Sequence, residues 1–177
     1  MKKLLTFAAL FVAASVVHAA SVSWTVAGGT FAKSPSDTSS EKRAVGYTVY
    51  AFLDADRADV LAALNGGDLD TATGMAKGQG DNPTSKTGAA GGTVKDLTGS
   101  TATIFLVAVD PDGANFLVSD SMTKNTYEPP ASADDSSTAA YNSSNWGGGT
   151  WTAVPEPCSV ALLALGLAAL GLKRKVA

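Results

Sequence analysis

The chain has 177 residues, a formal net charge of −3, one histidine and one cysteine. Five of its 13 cationic residues and one of its 16 acidic residues lie in the terminal segments, so the middle carries 15 acids against 8 bases and repels nucleic acid. His18 and Cys158 also fall at the ends, so the middle has no Ser-His-Asp or Cys-His pair, no internal disulfide and no His/Cys zinc or copper site.

That length fits one domain with appendages. Lys2-Lys3, the apolar Leu4–Val17 and the small-residue junction Val17-His18-Ala19 read as a secretory signal helix. Cleavage is expected after Ala19, with Ala20 as the second candidate, which makes residues 1–19 a leader and residues 20–153 an exported domain. In Ser21–Ala27 the residues Val22, Trp24 and Val26 alternate with Ser21, Ser23 and Thr25, the period of a half-buried strand. Gly28–Arg43 is a polar loop. Ala44–Leu53 is apolar on both faces and reads as an inner strand.

The period changes at Asp54–Asn65. Val60, Leu61 and Leu64 share a helix face, Asp54 is placed to cap its start and Gly66 its end. Gly67–Ser100 is rich in Gly and Thr and reads as a long loop with a short helix near Asp70–Ala76. Thr101–Val109 is the strongest strand, followed by the turn Asp110-Pro111-Asp112-Gly113, in which Pro sets φ, Asp caps and Gly takes positive φ. Ala114–Ser119 returns as its hairpin partner. Asp120–Gly149 reads as a polar loop, and Thr150–Val154 as a last strand. The expected fold is mainly β: a small sheet-dominated domain, a two-layer sandwich with one short packed helix.

Few residues in that domain offer chemistry. Gly80–Thr87 approaches a phosphate-binding loop, but Ser85 stands where the second Gly is required and no buried strand precedes it. The acidic pairs Asp54/Asp56, Asp68/Asp70, Asp110/Asp112 and Asp134/Asp135 each supply two oxygens, where calcium takes six or more. Asp110, Asp112 and Glu128 are the candidate carboxylates for a glycosidase. Trp146, Trp151, Tyr127 and Tyr141 are candidates for a sugar-stacking platform, the alternative reading being that such rings pack on a sheet edge. Asn142-Ser143-Ser144 spells a glycosylation sequon, read as chance. The expectation is a domain without catalytic residues, metal or cofactor.

The last 24 residues carry the clearest signal. Pro155 and Pro157 hold Val154-Pro155-Glu156-Pro157 in extended backbone. The uncharged Cys158–Leu172 has leucines all round a helix and no polar stripe, as suits a helix in lipid, although about 22 Å is short for a hydrocarbon core of roughly 30 Å. Lys173-Arg174-Lys175 then form a cytoplasmic basic anchor. This order resembles the PEP-CTERM sorting tail of exported bacterial proteins, with Lys mixed into a basic cluster where that family favours Arg. The resemblance implies processing near Pro155–Pro157 by an exosortase-type enzyme, a membrane-embedded transpeptidase-like partner. The other implied partners are the secretion machinery, the inner membrane for a time, and extracellular polysaccharide. It gives an inner-membrane precursor and then a surface or extracellular protein with a structural or envelope role. An extracellular carbohydrate-binding or adhesion module is the alternative.

Overall fold

A computed structural model describes residues 20–27, 30–35, 44–81, 90–127, 138–147 and 149–156. The leader, Pro157, the apolar run 158–172 and Lys173–Lys175 lie outside the described residues.

The described residues form two sheets packed face to face, with helices on the outer face of the larger one. The larger sheet is built on β5 (Thr101–Val109), whose nine residues are apolar on both faces in the second half. β2 (Thr48–Leu53) runs antiparallel along one side of it, from Thr48 beside Val109 to Leu53 beside Ile104. The other side is shared by β6 (Asn115–Val118), beside Val107–Val109, and β7 (Met122–Asn125), beside Thr101–Ile104. β3 (Gly78–Asp81) extends the sheet beyond β2, and β9 (Thr152–Ala153) beyond β6. In the smaller sheet β1 (Ala20–Val26) is central, antiparallel to β4 (Ala90–Leu97) and parallel to β8 (Ala139–Tyr141).

Strand alternation divides the core in two. Ile104, Leu106 and Ala108 of β5 face the smaller sheet and meet Val22, Trp24 and Val26 of β1, all nearly inaccessible. Phe105, Val107 and Val109 face the other way and meet Val60, Leu64 and Ala72 from the helices. Each Val, Leu, Ile or Phe among them contributes roughly 1.5–3 kcal/mol by burial, so the central strand serves both cores. The helices are α1 (Arg57–Asn65), entered through a 3-10 turn at Asp54–Asp56, and α2 (Leu69–Gly74). The sandwich expectation therefore gains a third, helical layer, in which α2 is the short helix expected near Asp70–Ala76.

Local signals came close without landing on every residue. Asp54 does not cap α1; it opens the 3-10 turn and accepts a hydrogen bond from Ser121 Oγ. Gly66 ends α1 with φ −81°, and the positive φ, +78°, belongs to Gly67. Asp68 caps α2 by accepting from Thr71 N–H at 2.9 Å, and these bonds hold its carboxyl below the ordinary range. β3, β4, β7 and β8 are strands in segments read as loops. For the first two the reason is steric. The sheets approach so closely there that a Cβ on Gly80 would lie 2.3 Å from Gly91 O, and one on Gly92 2.8 Å from Trp24 Cζ2. Glycine is used here for close contact, with the Trp24 indole filling the space, whereas composition alone reads it as a loop residue.

Candidate functional site

The candidate site is the junction where the domain hands over to the C-terminal motif. Its firm point is Trp151, 9% exposed, whose Nε1–H donates to Ala32 O at 2.8 Å. Its ring meets Phe31 edge-on at 5.9 Å, and Phe31 in turn packs edge-on against Tyr47 and Trp146 at 4.8 and 4.6 Å. From that anchor the chain runs out along β9, pairing Thr152 with Phe116 and Ala153 with Asn115. Both β9 side chains are exposed, so this strand is held by backbone bonds. Val154 N–H donates to Ala114 O at 2.8 Å, and its half-buried side chain rests on the helix-side core. Pro155 has no N–H to continue the ladder, and Glu156 is exposed. The domain's grip thus ends at Val154, inside the motif.

Beneath the junction lies the turn 110–113, built as its residues predict. Gly113 has φ +69° and its N–H donates to Asp110 O at 3.0 Å. The Asp110 carboxylate, 4% exposed, accepts from Asn115 N–H (3.0 Å), Asn115 Nδ2 (2.8 Å) and Ser34 Oγ (2.7 Å). A buried carboxylate needs such donors to offset its desolvation. They also fix Asn115, the residue that pairs with Ala153. A cleft of about 600 Å³ opens at this corner between Pro35, Leu69, Ala114, Asn115, Val154 and Pro155.

The other candidates have structural occupations. Tyr141, Trp146 and Trp151 are buried, with 1%, 2% and 9% exposure, and Tyr127 is half-buried. The rings of Tyr141, Trp146 and Trp151 fill the core between the sheets instead of forming a stacking platform, and Tyr141 Oη donates to Ile104 O at 2.8 Å. Asp110 is saturated by its turn, while Asp112 is a turn residue and Glu128 lies outside the described residues. Asn142 uses its side-chain oxygen to cap the 3-10 turn Ser143–Asn145. Gly80 belongs to β3, and 82–87 lie outside the described residues, as do Asp134 and Asp135. Among the described residues no three His, Cys, Asp or Glu side chains come together as a metal-binding group, and no helix is long and apolar enough to cross a membrane. Ala20, the second cleavage candidate, is 3% exposed and opens β1; Val17 and Ala19 are outside the described residues.

The overlap at Val154 is already present in the sequence, where Thr150–Val154 reads as a last strand and Val154–Pro157 as the motif. What sequence reasoning missed is the partner: β9 pairs with β6, and the bond from Val154 N–H to Ala114 O carries the hold into the motif.

Comparison with known proteins concerns this same corner. Residues 153–175 match the family model of the PEP-CTERM protein-sorting motif. Comparison with curated proteins and with solved structures finds no match. The chain therefore carries a PEP-CTERM sorting motif at residues 153–175, and the domain that precedes it lies outside the match. The motif implies an exported protein with a membrane-anchored precursor, processed by an exosortase-type enzyme.

Proposed function

We propose that this is a non-catalytic exported protein with a structural or envelope role, sorted through Val154–Pro157 and then left at the cell surface or in the extracellular matrix. The observation that carries the sorting part is the motif at residues 153–175, which begins on the last strand of the domain. In this reading Cys158–Leu172 holds the precursor in the inner membrane, and Lys173, Arg174 and Lys175 stay in the cytoplasm. The leader ends at Ala19, so the domain lies outside. Support for a non-catalytic role comes from the occupations of its polar groups: Asp68 caps a helix, Asp110 organises a turn, and the aromatic rings are core.

The test is fractionation of cells that contain the processing enzyme. Pro155, Glu156 and Pro157 are replaced together by alanine in the full chain. The native protein should leave the membrane fraction, and the variant should remain there with its tail attached. Equal release of both would refute sorting through this motif.

A further inference from the structure

The sorting motif and the fold compete for the same residues. Ala153 and Val154 fall within the matched residues 153–175, yet Ala153 is paired with Asn115 and Val154 N–H is bonded to Ala114 O. Enzymes that act on a peptide commonly take it as an extended strand through its backbone groups. Of these two residues it is Val154 whose N–H is turned to the domain and already in use there, while Ala153 is held in register beside Asn115 in the alternating non-bonded position.

The hold is built to be broken locally. β9 has two ladder residues, both with exposed side chains, and it sits at the outermost edge of the larger sheet. The next firm point back along the chain is Trp151, with its ring in the core and its Nε1–H on Ala32 O. Thr152–Val154 can therefore lift away while Trp151 stays in place, a local opening that gives up the β9 pairing and the Val154 contact with the helix-side core and leaves the buried residues of both cores in place. Reach favours the same step. From Val154 to Cys158 is four residues, so a docked Val154 leaves at most about 14 Å of chain between the domain and the start of the apolar run. Lifting Thr152–Val154 adds three residues, or roughly 10 Å, of reach.

We propose that β9 gates processing: the exosortase-type enzyme acts on the precursor only after Thr152–Val154 has detached from β6. This inference rests on the sorting function proposed above. The cut is the enzyme's reaction, and the domain sets how often the motif is accessible.

A reversible lock tests it. Ala114 and Val154 are the next antiparallel pair after Asn115 and Ala153, with an expected Cα separation of about 5.5 Å, within disulfide range. Ala114→Cys and Val154→Cys are introduced into the full chain together with Cys158→Ser, which removes the native thiol. The precursor is incubated with membranes containing the enzyme, oxidised or reduced, and loss of the tail is read by intact mass. The oxidised precursor should be processed at least ten-fold more slowly than the same precursor reduced; both arms carry the same substitutions within the motif, so their ratio reads the lock alone. A second variant, Trp151→Ala, lies outside the matched residues and loosens the strand; it should be processed several-fold faster. Equal rates for oxidised and reduced precursor, with the disulfide verified by mass, would overturn the gate and show that the enzyme takes the motif from Pro155 onward with β9 docked. A wild-type precursor that the same membranes leave uncut would overturn the sorting function, and the gate with it.

Discussion

Gly80 measures how closely the two sheets approach. A Cβ added there would lie 2.3 Å from Gly91 O and 2.8 Å from Trp24 Cη2. Ordinary contact begins near 3.4 Å, so Gly91 O must give way by about 1 Å and Trp24 by about 0.6 Å, as repulsion at overpacked sites requires. Neither moves freely. Gly91 O is backbone of β4, and Trp24 is 1% exposed in the middle of the inter-sheet core. Overpacking costs typically 1–3 kcal/mol, and with both neighbours fixed Gly80→Ala should reach the upper end, about 3 kcal/mol. Gly74→Ala is the matched control. It ends α2 with nothing within 4 Å of the added methyl, and it should be neutral or stabilising by about 0.5–1 kcal/mol through the lost freedom of the unfolded chain. Urea unfolding of the mature protein, followed by tryptophan fluorescence, reads both. At a slope of roughly 2 kcal/mol/M, the Gly80 variant should lose about 1.5 M in midpoint. A loss below about 0.5 M, under about 1 kcal/mol at that slope, would refute the close approach of β3 and β4 around Trp24.

Trp151→Ala removes an indole that is 9% exposed, together with its bond to Ala32 O; by the usual cost of such truncations it should destabilise by about 3 kcal/mol in the same urea assay, and limited proteolysis should find the junction at Thr152–Glu156 more readily cut. Asp110→Ala leaves the donors of Asn115 and Ser34 without the carboxylate they now bond; a loss of about 3 kcal/mol is expected, and Asp110→Asn, which keeps one carbonyl acceptor, should lose less. Alkaline pH should weaken the fold. Burial pushes the Tyr47 hydroxyl from 10.0 up to about 12, and burial also raises that of Tyr141. The folded state then binds the phenolic proton more tightly than the unfolded one. The resulting stability is fully present below pH 10 and is lost as pH rises through about 12. Melting temperatures measured from pH 8 to 12 should fall above pH 10, and Tyr47→Phe should blunt the fall.

The parts of the fold legible in the sequence were those where one physical cause dominates. β5 spans Thr101–Val109 as its unbroken apolar run predicts, and β1 buries Val22, Trp24 and Val26 as their alternation predicts. The 110–113 turn follows from Pro, Asp and Gly in order. Other elements depend on partners distant in the chain. Gly78-Gln79-Gly80 and Gly91-Gly92 look like loop composition, and only the Trp24 ring lying against them explains why they are strands. β7 pairs with the first half of β5 through Thr123 and Lys124, whose own composition is neutral. The aromatic residues from 141 to 151 show the same limit. Sequence allowed either an exposed platform or sheet packing, and the choice was made by Phe31, more than a hundred residues away. At the junction the motif was fully legible. A last strand running into it at Val154 was legible too; that strand's partner, β6, was not, because pairing is set by residues distant in the chain.

The most direct test of sorting through this corner is the intact mass of the native protein recovered from cells that contain the processing enzyme. The account predicts a chain that begins at Ala20 and lacks the residues after Pro155–Pro157, with any added mass attached at its new C-terminus. A native chain that still ends in Lys173–Ala177 would contradict it.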